Sequence, residues 1–138
     1  MSAPRVVLVD DDAPARDLLA QALSEEGISV VGQVDSEEEG VEAVRDARPE
    51  VVVMDLRLPD GSGIEATRRI KERVPFVQVL LLTAYEGQLP TRSAQAVGAY
   101  AYLLKGCPVS LIRDVITSAA TWSRALRGAA GRGGVTSA

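Results

Sequence analysis

An α/β fold, a doubly wound sheet of five parallel strands and five helices, is what the sequence predicts, and three observations predict it. Short apolar runs alternate five times with stretches of helical spacing, the pattern of parallel strands joined by crossing helices. The runs are apolar at odd and even positions alike, so both faces of the sheet are covered. Four of them end on polar residues: Asp10-Asp11-Asp12, Asp55, Thr83 and Lys105. In an open parallel sheet the carboxyl ends of the strands form the ligand crevice, and these termini converge there.

The first strand is Arg5-Val6-Val7-Leu8-Val9, β-branched and ending on acids. Its helix opens with Pro14, is expected to bury Leu18, Leu19, Ala22 and Leu23, and stops before Gly27. A second strand near 28 to 32 leads to a helix carrying Val41 and Val44 behind Ser36-Glu37-Glu38-Glu39. That acidic start complements the positive end of the helix dipole and reads as a solvated face. The third strand, 51 to 54, runs into Asp55; the helix after it shows Ile64, Ile70 and Val74 and is stopped by Pro75. Gly61 and Gly63 make the turn between them, since no Gly-x-Gly-x-x-Gly frame marks a phosphate loop. Strand four, 77 to 82, ends on Thr83, and a short helix opens near Pro90 and closes at Gly98. Strand five, 100 to 104, ends on Lys105. The last helix starts near Pro108 and aligns Leu111, Ile112, Val115, Ile116, Ala119 and Trp122 on one stripe. Periodicity lapses at Arg127, so the reading is one domain over 1–126 and a linker or tail over 127–138.

At 138 residues and 46% hydrophobic the chain holds one continuous core. One Cys excludes an intrachain disulfide. No signal peptide or bilayer-spanning run is read, which makes the cytoplasm the expected location. A net charge of −4 with scattered basic residues gives no electrostatic footprint for nucleic acid, so DNA binding by this chain alone is not expected.

Several carboxylates gathered at one edge repel one another unless a divalent cation sits between them. Mg²⁺ suits the set, because it takes one or two carboxylates together with water and phosphate oxygens. The chain has no His, which removes the commonest transition-metal ligand and the commonest general base. With the Thr83 hydroxyl and the Lys105 ammonium, the set can hold the oxygens of a phosphoryl group and stabilise its transfer by position and charge, with a carboxylate as acceptor.

Asp10-Asp11 after the first strand, Asp55 with Pro59 and Gly63, Thr83, and Tyr102-Leu103-Leu104-Lys105 together resemble the receiver domain of two-component response regulators, from residue 5 to about 126. Asp55-Leu56-Arg57-Leu58-Pro59-Asp60-Gly61 is similar to receivers that precede a LuxR-type helix-turn-helix. The resemblance implies a flavodoxin-like architecture and a phosphorylation-dependent switch. Asp55 would take a phosphoryl group from a histidine kinase, while Asp11, Asp55 and the backbone carbonyl of Arg57 ligate Mg²⁺ and Asp10 acts through water. Lys105 would pair with Asp55 and then with phosphate, and Thr83 would swing inward, followed by Tyr102. The face of the fourth helix, fifth strand and fifth helix would carry the output, with transcription controlled through a domain absent from this chain, and a homodimer formed on phosphorylation is among the implied partners. Arg57 and Tyr85 stand where side chains block or admit hydrolytic water, and their bulk is expected to lengthen the life of the phosphate. Lys105 is followed by Gly106-Cys107 and not by Pro, so the family's usual cis link is not expected.

Plainer readings apply elsewhere. Asp12 caps the first helix, Cys107 is a small filler, and Trp122 is either core edge or dimer contact. Two other functions share parts of the pattern. A phosphatase of the haloacid-dehalogenase kind also uses Asp10-x-Asp12, a Thr and a Lys, but needs further acids where this chain offers only Asp114. A docking or dimerising module without phosphorylation is the other.

Overall fold

The computed structural model describes residues 2–84 and 91–131. In chain order the elements are β1 (Arg5–Val9), α1 (Ala13–Glu25), β2 (Ser29–Val34), α2 (Glu37–Ala47), β3 (Val51–Asp55), β4 (Arg57–Leu58), β5 (Gly61–Ser62), α3 (Gly63–Arg73), β6 (Gln78–Thr83), α4 (Thr91–Ala96), β7 (Ala101–Leu104) and α5 (Val109–Gly131). Five strands form a parallel sheet in the order β2-β1-β3-β6-β7. The chain moves outward from β1 to β2, then returns to lay β3 on the other side of β1. The crevice between β1 and β3 is thus the point where winding reverses, the place where such sheets bind ligands. β4 and β5 are a two-residue antiparallel pair outside this sheet, pairing Arg57 with Ser62 and Leu58 with Gly61.

Strand pleating divides the core in two. Val6, Leu8, Val51, Val53, Leu80 and Leu82 face α1 and α5, whereas Val7, Val9, Val52, Met54, Val79 and Leu81 face α2, α3 and α4. β3 and β6 are buried along their whole length, and the outer strands β2 and β7 are only half-buried.

Helix phase is where expectation and structure part. Leu18 is 69% exposed, and Ala20 and Leu23 fill the core position instead. On α5 the buried row is Ile112, Ile116, Ala119, Ala120 and Ser123, leaving Leu111 and Trp122 exposed at 42% and 54%. The small residues of that row let the helix approach the sheet closely, and Trp122 in the same row would hold it off. The core-edge reading of Trp122 is therefore set aside.

Apolar periodicity ends at Arg127, yet α5 continues to Gly131. Long-range contacts replace the missing stripe. Arg124 pairs with Glu50 and donates to the Ser2 carbonyl at 3.0 Å, and the Arg127 guanidinium lies 4.5 Å from the Phe76 ring centroid. Burial by itself would push the Glu50 carboxyl up, but the Arg124 bond, the Arg5 amide and the charges of Arg124 and Arg127 outweigh it and hold it below the ordinary 4.5. A carboxyl depressed by folding stabilises above its unfolded pKa, and that gain is lost as pH falls through the folded value. Glu50→Gln is therefore expected to cost about 1 kcal/mol at pH 7, the partly exposed arginine limiting the loss. Urea melts of the two proteins should converge as pH drops below the carboxylate range.

Candidate functional site

β1 hands the chain to Asp10, whose amide donates to the Val34 carbonyl at 3.1 Å. Its Oδ1 accepts the Asp12 amide at 2.9 Å, and Asp12 Oδ1 accepts the Ala15 amide at 3.1 Å, capping α1 as expected. These bonds fold the acidic loop tightly over the end of the strand. Asp55, the last residue of β3, is 8% exposed. Carboxylate oxygens of Asp10, Asp11 and Asp55 lie within 4.8 Å of one another, forming a group among the described residues that could hold a metal ion.

Lys105 closes the site. Its Nζ donates to Asp10 Oδ2 at 3.0 Å and to Asp55 Oδ2 at 3.2 Å. The Lys105 amide donates to the Thr83 carbonyl at 2.7 Å, so the ends of β6 and β7 are tied beside it. A turn follows in which the Cys107 amide returns to the Leu104 carbonyl at 3.2 Å. Gly106 occupies its third position with φ +90°, the backbone a type II turn requires there. No cis peptide occurs among the described residues. Cys107 packs against the α1/α5 core, and burial pushes its thiol up, in keeping with a filler.

A cleft of about 340 Å³ is lined by Asp11, Asp55, Arg57, Thr83 and Lys105, with Leu56, Leu58, Pro59 and Ala84 completing the wall. Its acids, hydroxyl and ammonium are those singled out in the sequence. Tyr102 lies on β7 opposite Leu81 and packs against the α2/α3/α4 core. Tyr100, two residues earlier, precedes the strand and shares a 2.6 Å hydrogen bond with Ser118 on α5. Only Tyr102 thus faces the side of the sheet that α4 covers. Tyr85 lies outside the described residues.

Electrostatics oppose one another here. Burial pushes the Asp55 carboxyl up, Lys105 draws it down, and neighbouring Asp10 pushes it up again, leaving it above its ordinary range. Burial would lower Lys105, but its bonds and charges with Asp10 and Asp55 prevail and raise it. The donor set fits a hard divalent cation: carboxylate oxygens are what Mg²⁺ prefers, and crowded like charges gain most from one.

Two contributors were not legible as such. Arg16 reaches under the site, its Nη1 donating to the carbonyls of Asp10 at 2.7 Å and Val34 at 3.2 Å. A single arginine on an amphipathic helix carries no signal of that reach. Glu37 is 7% exposed, contrary to the solvated face expected of Glu37-Glu38-Glu39. Its carboxylate is held by Arg69 of α3 at 2.9 Å and accepts the Ser62 amide at 3.3 Å. The charge turns inward because two partners await it there.

Comparison with known proteins gives this geometry its context. The sequence model described as "Response regulator receiver domain" matches residues 6–117. The chain belongs to that family. As a receiver it is a phosphorylation-dependent signalling domain of two-component systems. It is 40% identical to response regulator GacA of Pseudomonas viridiflava over 104 residues, covering 74% of this chain and 48% of that protein. Identity to the DNA-binding transcriptional activator DevR/DosR of Mycobacterium tuberculosis is 39% over 102 residues, covering 73% and 47%. The receiver therefore spans about half the length of these relatives. A crystal structure of a LuxR-family two-component response regulator from Aurantimonas sp. SI85-9A1 superposes with a TM-score of 0.81 at 30% identity, covering 87% of this chain and 86% of that one. The five-stranded doubly wound architecture is that of the family, and no helix among the described residues is long and apolar enough to cross a membrane.

Proposed function

We propose that Asp55 is the phosphoacceptor of this receiver and that a histidine kinase is its donor. The observation that carries the reading is Lys105 Nζ placed between Asp10 and Asp55, at 3.0 and 3.2 Å, across the β1/β3 crevice. An Asp55 carboxylate oxygen forms the new bond to phosphorus. The bond from phosphorus to the donor imidazole nitrogen breaks, and that nitrogen keeps the electron pair and takes up a proton. Lys105 leaves Asp55 Oδ2 for a phosphoryl oxygen, and the Thr83 hydroxyl turns toward another. Asp11, Asp55 and the Arg57 carbonyl would hold Mg²⁺ directly, with Asp10 acting through water, and the ion when bound would supply positive charge to the phosphoryl oxygens. Little acid-base chemistry is needed, because positioning and charge do the stabilising.

Movement of Thr83 makes room for Tyr102 to turn inward, which biases the face of α4, β7 and α5 between two states. By analogy with relatives that activate transcription, that face controls a transcriptional output in the cytoplasm, with dimerisation of the phosphorylated form as the means. Family membership favours this reading over the dehalogenase-like phosphatase. Incubation with Mg²⁺ and a small phosphodonor such as acetyl phosphate is expected to add a single phosphoryl mass, absent in Asp55→Ala. No mass increase with any donor would favour the docking module, and steady phosphate release from many esters would favour the phosphatase.

A further inference from the structure

The β4–β5 hairpin bears the Arg57 carbonyl on one strand and is gripped from behind through the other. Asp60, at its turn, accepts the Glu37 amide on Oδ1 at 2.8 Å and the Glu38 amide on Oδ2 at 3.1 Å, so one carboxylate caps the first turn of α2. The grip is returned: Glu37 Oε1 accepts the amide of Ser62, the residue paired with Arg57 in the hairpin. Arg69 ties the assembly to α3 through Glu37 and Glu38, both at 2.9 Å. Gly61 makes this possible, since a Cβ there would collide with Glu37 Oε1. Lone helix caps are common, but here cap, buried carboxylate and cross-tie converge on one short hairpin.

We infer that Asp60, Glu37 and Arg69 are positioning residues for the divalent cation, holding the hairpin on which Arg57 lines the cleft with Asp11 and Asp55. This rests on the metal reading proposed above. A carbonyl on a two-residue strand has little rigidity of its own, and outer partners of this kind set how well a ligand is presented. Loss of the clasp should weaken cation binding and leave the chemistry at saturation unchanged.

The test is a Mg²⁺ titration of the unphosphorylated protein followed by amide chemical shifts, with acetyl phosphate kinetics alongside. Asp60→Ala is expected to raise the Mg²⁺ dissociation constant about 10-fold, with the phosphorylation rate at saturating Mg²⁺ within about 2-fold of the parent protein. Asp60→Asn, which keeps one acceptor, should recover part of the affinity, and Glu42→Ala, on the exposed side of α2, should change neither quantity. Equal Mg²⁺ affinity in Asp60→Ala and the parent overturns the clasp alone. Absence of Mg²⁺ binding by the parent overturns both the clasp and the metal reading. Should Asp60→Ala fail to fold, Arg69→Met, which removes the cross-tie and keeps the cap, carries the test: weaker binding supports the inference, and unchanged binding overturns it.

Discussion

Lys105→Ala is expected to slow phosphoryl uptake from acetyl phosphate by about 10²–10³-fold, the usual consequence of removing a fixed charge from a transition state. Two roles of the ammonium explain the size. It lies 3.2 Å from Asp55 Oδ2, where incoming phosphoryl oxygens need positive charge. It also opposes burial and Asp10, which both raise the Asp55 carboxyl. Without it that carboxyl climbs further, so the acid limb of the pH–rate profile should move to higher pH, because only the ionised form attacks. Lys105→Arg should recover only part of the rate, since the planar fork does not reproduce a compact point charge. Rates measured across pH by mass spectrometry check this, and uptake by Lys105→Ala within about 3-fold of the parent would remove Lys105 from the mechanism.

Gly63→Ala is expected to cost about 3 kcal/mol of stability, at the upper end for forcing one methyl into a packed site. A Cβ at Gly63 would run into the Asp55 carbonyl oxygen and would lie 3.0 Å from both Leu56 Cα and Met54 Cγ. Two of these are backbone atoms, at the last residue of β3 and the one after it, and cannot swing aside. The peptide after Asp55 must shift, so uptake of phosphate should fall together with stability. Gly106 differs, because its surroundings are open and only its left-handed φ of +90° calls for glycine. Urea melts paired with phosphorylation rates test the point. Full stability in Gly63→Ala would show that α3 can retreat from the strand.

The acids, the threonine and the lysine were legible because each terminates an apolar run, and strand direction puts all such ends on one edge. The α5 stripe was misread by about one residue, since Leu111 and Trp122 satisfy helical spacing as well as Ala120 and Ser123 do. Only the distance of closest approach to the sheet favours the smaller side chains. Glu37 was unreadable for a related reason: an acid in a first helical turn is ordinary, and its partners, Ser62 and Arg69, stand 25 and 32 positions away.

The amino-acid sequence by itself determined the alternation of strand and helix, the polar strand ends and the cap at Asp12, all of which depend on neighbours a few residues away. Tertiary structure alone decided that β3 lies beside β1, that Lys105 spans 95 positions to reach Asp10, and that Asp60 and Glu37 clasp the hairpin behind Asp55. Those contacts depend on which surfaces pack together, and packing is settled by shape and burial across the whole domain. Asp55 could be found from its strand, but the environment that raises its carboxyl and gives it a partner exists only once the sheet has closed around it.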